Sequence, residues 1–181
     1  MLELDVCQSC RFVLARPHYP ENVGATARAI KTMGITDLCL VKPGRLAVPE
    51  HEMAHKMAVK AWDVLSDATV VPDLETALQG IDVVFATTSR RGVSGVIQPR
   101  AAAQIALDAS RKGQRSAFVF GNEKSGLSLE ERALASHMVR IPMAADQPSI
   151  NLAQANQLVA YEIFVAGLQA RDEDKRQKAN E

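Results

Sequence analysis

Apolar residues along this chain fall into short uninterrupted runs, separated by stretches in which they recur every three or four positions. The runs at residues 12–15, 38–41, 83–86 and 117–120, with a shorter one at 70–71, predict strands buried on both faces, and Val139–Ile141, interrupted by Arg140, reads as the last strand. The 3.6-spaced stretches predict helices over residues 23–33, 49–65, 73–79, 101–110 and 151–170. Asn22 stands where an N-cap would start the first helix, and Gly34 stops it. Ser128 and Glu131 have the spacing of a capping box for one more helix. Residues 16–21, marked by Pro17 and Pro20, and residues 87–95 read as loops, while residues 1–10 show no clear period.

Strands alternating with helices predict an α/β fold, with a mostly parallel sheet flanked by helices. The expected organisation is one domain over residues 1–170 and a charged tail, 171–181, that frays. The last helix carries Leu152, Leu158, Val159, Ile163, Phe164, Val165 and Leu168 on more than one face. A helix apolar on several sides is buried on several sides, so one side is expected on the sheet and another against a second subunit in a homodimer.

Composition narrows the picture. The chain is 47% hydrophobic but only 4% aromatic, so its core rests on aliphatic side chains, which suits a covered sheet better than an all-β sandwich. No apolar run is long enough to span a bilayer, and residues 1–10 do not form a targeting segment. An odd number of cysteines, Cys7, Cys10 and Cys39, points to a reducing, cytoplasmic compartment. Twenty-one basic and 21 acidic residues cancel, so any polyanion partner must be held by local clusters of charge. Arg11, Arg16, Arg28, Lys31, Lys42 and Arg45 form one such cluster in the sequence, and Arg90, Arg91 and Arg100 another.

Two motifs invite metal or redox chemistry and carry little of it. Cys7-Gln8-Ser9-Cys10 has no second cysteine pair to complete a zinc site and precedes the first strand, so two free thiols are expected. His51-Glu52-Met53-Ala54-His55 matches the H-E-x-x-H pattern of zinc peptidases, with Glu75 as a conceivable third ligand. The pattern fixes three positions only, and a solvated first turn after Pro49 accounts for it; no metal is expected. A Rossmann G-x-G-x-x-G is absent after the first strand.

Three segments carry more information together than apart. They are Pro20-Glu21-Asn22-Val23-Gly24-Ala25-Thr26-Ala27-Arg28, then Phe120-Gly121-Asn122-Glu123-Lys124-Ser125-Gly126-Leu127, then Ile141-Pro142 through Ser149-Ile150-Asn151-Leu152. In this order and spacing they resemble the three motifs of the SpoU/TrmH family of RNA ribose methyltransferases, within the SPOUT class. The resemblance runs from about Arg11 to Leu168. Residues 29–34 and 151–162 make the chain most similar to the branch that methylates a ribose in the tRNA anticodon loop, at position 32.

The resemblance implies a SPOUT fold with a C-terminal trefoil knot, S-adenosylmethionine as cofactor, an active site completed by two subunits, and tRNA as partner. An rRNA 2'-O-methyltransferase and a catalytically silent RNA-binding module are the alternatives. By position, Thr87, Thr88, Ser89, Gly121, Asn122, Ile141, Ser149, Ile150 and Leu152 are expected around the cofactor, with Ile141 and Ile150 as apolar walls. Arg28 is the expected stabiliser of negative charge on the ribose oxygen. Asn22, Ser149 and Asn151 are placed to hydrogen-bond the substrate, and Glu123 to orient Arg28 or hold the loop. Pro148, just before Ser149, marks a departure from other members. Arg11, Arg16, Arg28, Lys31, Arg90 and Arg91 become candidate contacts to RNA phosphates.

Overall fold

A computed structural model describes residues 2–144 and 149–179. The apolar runs form β1 (Cys10–Ala15), β2 (Asp37–Val41), β3 (Thr69–Val71), β4 (Val83–Thr87), β5 (Val96–Ile97), β6 (Ser116–Phe120) and β7 (His137–Val139). The helices are α1 (Asp5–Gln8), α2 (Pro20–Thr32), α3 (Glu52–Met57), α4 (Trp62–Ser66), α5 (Leu74–Ala77), α6 (Pro99–Arg111), α7 (Leu129–Ala133) and α8 (Leu152–Ala179). The strands lie in the order β3-β2-β1-β6-β4-β7-β5, and every pairing is parallel. The α/β architecture with a parallel sheet is therefore as expected.

Alternation along the strands divides the core into two layers. Phe12, Leu14, Leu38, Leu40, Phe85, Phe118 and Phe120 face the layer built from α1, α2, α3, α4, α6 and α8. Val13, Ala15, Cys39, Val41, Val84, Ala86, Ala117 and Val119 face α5 and Leu127 on the other side. Aromatic residues are few but concentrated. Phe85 stacks on Phe118 at 4.5 Å between ring centroids, and Phe12 lies 5.7 and 5.5 Å from Phe118 and Phe120. Each such pair contributes about 0.5–1.5 kcal/mol beyond its burial, at the middle of the sheet.

Several boundaries differ from those predicted, each for a local reason. The first long helix starts at Pro20, whose missing N–H costs nothing at the first helical position, so Tyr19 and not Asn22 is the N-cap. Residues 49–65 are two helices, because Lys60 takes a left-handed conformation (φ 61°) between them. Residues 1–10 contain α1, and the segment at 87–95 leads into a two-residue strand, β5, too short to leave a periodic signal. Strand β7 stops at Val139, leaving Ile141 in the segment beyond it. Helix α8 runs on through the charged residues to Ala179, where the composition predicts fraying from residue 171. No helix among the described residues is long and apolar enough to cross a membrane.

Cys7, Cys10 and Cys39 are free and buried. Burial pushes the Cys7 thiol from its ordinary 9.0 up to about 12, and burial likewise raises Cys10 and Cys39. The neutral thiol is the form the fold accommodates. Its stability contribution is complete below the unfolded value near 9.0 and is lost as the pH rises through the higher folded values. A thiol-exchange reagent at pH 8 is therefore expected to leave the folded protein unmodified and to label all three cysteines in denaturant. Rapid labelling of the folded protein would show that these side chains are not enclosed.

Candidate functional site

The carboxyl ends of β4, β6 and β7 open into a cavity of about 510 Å³, within the size range of small-molecule sites. This is where open parallel sheets place ligands. Phe120, Leu127, Val139, Ile141, Ile150 and Leu152 give it apolar walls, while Thr87, Thr88, Ser89, Gly121, Asn122, Ser149 and Asn151 supply polar groups. All nine residues expected around the cofactor thus line one cavity. Pro148 lies outside the described residues.

A chain of hydrogen bonds ties the three sequence segments together at its rim. The Asn22 amide donates to Glu123 Oε1 at 2.8 Å. The Asn151 amide donates to Asn22 Oδ1 at 2.9 Å. Asn151 Oδ1 in turn accepts from the backbone N–H of Ala153 and Gln154 at 2.9 and 3.3 Å, which fixes it over the first turn of α8. Glu123 also accepts from the backbone N–H of His18 and Tyr19 at 2.9 and 3.3 Å. Its carboxylate sits at the positive end of α2, a favourable place for negative charge. Glu123 therefore orients Asn22, and the expected contact to Arg28 is not made.

The loop after β6 is held from two directions. Asn122 donates to the Arg16 carbonyl at 2.6 Å and accepts from the N–H of Lys124 and Ser125 at 2.9 and 3.1 Å. Its side chain shapes the loop, so only its remaining surface meets the cavity. At Gly121 a Cβ would come within 2.4 Å of the backbone of Gly126 and Leu127, an approach that requires glycine. From below, Arg16 grips Glu131 at 2.9 and 2.7 Å and the Gly126 carbonyl at 3.0 Å. Ser128 and Glu131 form the expected capping box of α7. Burial pushes the Glu131 carboxyl up, but hydrogen bonds from Arg16 and the Ser128 N–H, with the Arg16 charge, outweigh it and hold the group below the usual carboxylate range.

The expected phosphate-facing group is not assembled on one surface. Arg11 lies at the opposite, amino end of β1, paired with Asp37 at 3.0 Å and bonded to the Ala77 carbonyl. Arg16 is engaged by Glu131 as a strap for the loop. Lys31, in the last turn of α2, pairs with Asp63 at 2.6 Å. Arg28 is exposed on α2, makes no hydrogen bond or ion pair with the described residues, and does not line this cavity. Asn22 and Arg28 are six residues apart, which puts them on different sides of α2. Of the second group, Arg90 lines the cavity, and Arg91 is exposed nearby in sequence.

Sequence reasoning missed other lining residues: Tyr19, Lys124, Arg132 and Met143. Tyr19 and Lys124 adjoin recognised motif residues, which is a usable signal. Arg132, in α7, lines the cavity and donates to the Ser128 carbonyl at 3.3 Å, and nothing in the local sequence marks it. The H-E-x-x-H residues serve other ends. His51 caps α3 by accepting from the Met53 N–H at 3.1 Å, and Glu52 pairs with Lys56. Among the described residues no group of three His, Cys, Asp or Glu side chains could hold a metal ion.

A model of the SpoU rRNA Methylase family matches residues 9–161. The tRNA (cytidine/uridine-2'-O-)-methyltransferase TrmJ of Photorhabdus laumondii is 38% identical over 178 residues, 96% of this chain and 71% of that protein. The protein of the same name from Yersinia enterocolitica is 37% identical over 87% of this chain and 61% of its own length, so the chain spans about two thirds of these relatives. Among solved structures, a probable methyltransferase from Bordetella pertussis Tohama I superposes with a TM-score of 0.85 at 35% identity, over 89% of this chain and 97% of that one. TrmJ from Z. mobilis ZM4 superposes with a TM-score of 0.77 at 36% identity, over 86% of this chain and 69% of that one. With three motif segments joined at one cavity, and a family match that spans them all, the chain belongs to the SpoU rRNA methylase family.

Proposed function

We propose that this protein is an S-adenosylmethionine-dependent methyltransferase that modifies a ribose 2'-hydroxyl of tRNA, in the anticodon loop, and that it acts in the cytoplasm as a homodimer. The observation that carries the reading is the Glu123–Asn22–Asn151 chain at the rim of an apolar-walled cavity. The relatives' names give the substrate class, and the three buried free cysteines fit a reducing compartment.

The cavity fits the cofactor. Apolar walls from Phe120, Ile141, Ile150 and Leu152 suit an adenine ring, and the backbone of the glycine-containing loop can approach its edge. When bound, S-adenosylmethionine would supply an electrophilic methyl group on a sulfonium centre: the ribose oxygen would take it as the methyl carbon–sulfur bond breaks, S-adenosylhomocysteine would leave, and the hydroxyl proton would pass to water. The chain's own residues align that oxygen and stabilise its charge. Asn22 and Asn151 are held in fixed rotamers by their mutual hydrogen bond, and Ser149 is exposed beside them. Arg28 is assigned the developing negative charge on the oxygen and an adjacent phosphate. Because it does not line its own chain's cavity, the reading delivers it to the cavity of a second copy. Leu158 and Tyr161 are exposed on α8, with Val165 and Leu168 half-buried on the same side, and form the proposed subunit contact. The family's C-terminal trefoil knot belongs to the same reading.

Methyl transfer from radiolabelled S-adenosylmethionine to bulk tRNA and, separately, to rRNA tests the proposal. Label in tRNA that survives as an alkali-resistant dinucleotide is the expected result. Label in rRNA alone would keep the chemistry and change the substrate. No label from a protein that binds the cofactor would identify a silent RNA-binding module.

A further inference from the structure

Among the described residues two aromatic side chains line the cavity, and they differ in kind. Phe120 is 1% exposed and belongs to the core, whereas Tyr19 at the mouth remains 43% exposed. Its backbone is fixed: the Tyr19 N–H donates to Glu123, and its carbonyl accepts from the N–H of Asn22 at 3.1 Å as the N-cap of α2. Its ring is braced as well. The His18 ring meets it edge-on at 4.7 Å, and Lys124 Nζ stands 5.7 Å over its centroid. An exposed aromatic ring held this firmly has little conformational entropy left to lose on binding a flat ligand. The ring and the Lys124 ammonium are both at the cavity mouth, three residues from Asn22 in one case and one residue from Glu123 in the other.

We propose that Tyr19 is a stacking platform for the nucleobase at or next to the methylated nucleotide, with Lys124 taking the neighbouring phosphate. The inference rests on the RNA-methyltransferase reading and adds how the substrate is held. A base can reach Tyr19 only when it is unstacked from its neighbours, so the platform selects loops over duplex. Every base has a π-face, so the selection is for an unpaired nucleotide more than for its identity.

The test compares the wild-type chain with Tyr19→Leu and Tyr19→Phe. Steady-state KM and kcat for tRNA are measured alongside cofactor affinity by calorimetry. Fluorescence quenching of a stem-loop RNA carrying 2-aminopurine in its loop reads stacking without catalysis. Tyr19→Leu is expected to raise KM for tRNA roughly 5- to 150-fold, the size of one base–aromatic stack, and to abolish quenching, with cofactor affinity unchanged. Tyr19→Phe is expected to restore both. Wild-type KM and quenching in the leucine variant would overturn the proposal. So would a parallel loss of cofactor affinity, which would make Tyr19 part of the cofactor wall. A wild-type protein that methylates no RNA would refute the functional reading, while the quenching comparison would still decide whether Tyr19 stacks a base.

Discussion

The Arg28→Ala protein is expected to bind S-adenosylmethionine with wild-type affinity and to transfer methyl groups roughly 10²- to 10³-fold more slowly, the usual cost of removing one donor from a developing oxyanion. Arg28 is exposed, unpaired among the described residues and absent from the lining of its own chain's cavity. A side chain so placed has no evident structural work within the chain, and its loss should leave the fold intact. Arg28→Lys keeps the charge but loses the planar fork, so an intermediate rate is expected. Delivery to a second copy adds a sharper expectation. Mixed dimers of Arg28→Ala with Asn151→Ala should show activity that neither variant has alone, because one of the two cavities then receives both groups. A turnover number for Arg28→Ala within a few-fold of wild type would end the assignment. Loss of cofactor affinity would move Arg28 from the substrate to the cofactor.

The Gly24→Ala protein is expected to be less stable by about 1–3 kcal/mol, the range for overpacking a tight contact. In a chain of this size each kcal/mol lowers the melting temperature by roughly 2–4 °C. A Cβ at Gly24 would lie 1.9 Å from the carbonyl oxygen of Ala54 and 2.7 and 2.9 Å from its carbonyl carbon and Cα. These are backbone atoms of α3, so no rotamer change relieves the clash and the short helix must retreat from α2. Alanine is the better helix former by about 1 kcal/mol, which works in the opposite direction. The clash is expected to win, since Ala54 and Ala58 are fully buried in the layer that α3 helps to close. A two-state urea titration gives the answer, and an increased midpoint would mean that propensity outweighs packing. Because Gly24 is two residues from Asn22, a shifted α2 would also loosen the rim network and slow methyl transfer.

How much of this was legible in the sequence depends on the range over which each feature is determined. Ser128 and Glu131 are three residues apart, and their capping box was predicted and found. The strands were legible because burial on both faces requires apolar runs, and the sheet is covered on both faces. Asn22 shows where local reasoning stops. Its position before an apolar-periodic stretch is that of an N-cap, yet Pro20 starts the helix earlier and frees the amide for Glu123. Arg11 and Arg16 show the same limit: an arginine that binds phosphate and one that holds Asp37 or Glu131 look alike along the chain.

The sequence by itself determined the alternation of strands and helices, the parallel sheet it implies, and three motif segments whose residues line one cavity. Only the tertiary structure decided the strand order, the engagement of Arg11, Arg16 and Lys31 in ion pairs, and the bonds from Asn22 to Glu123 and Asn151. Those partners are 101 and 129 residues from Asn22. Elements follow from periodic burial, which repeats every two or 3.6 residues and is written locally. A hydrogen bond between distant polar side chains has no period, and its partner is chosen only when packing removes the alternatives, water first among them.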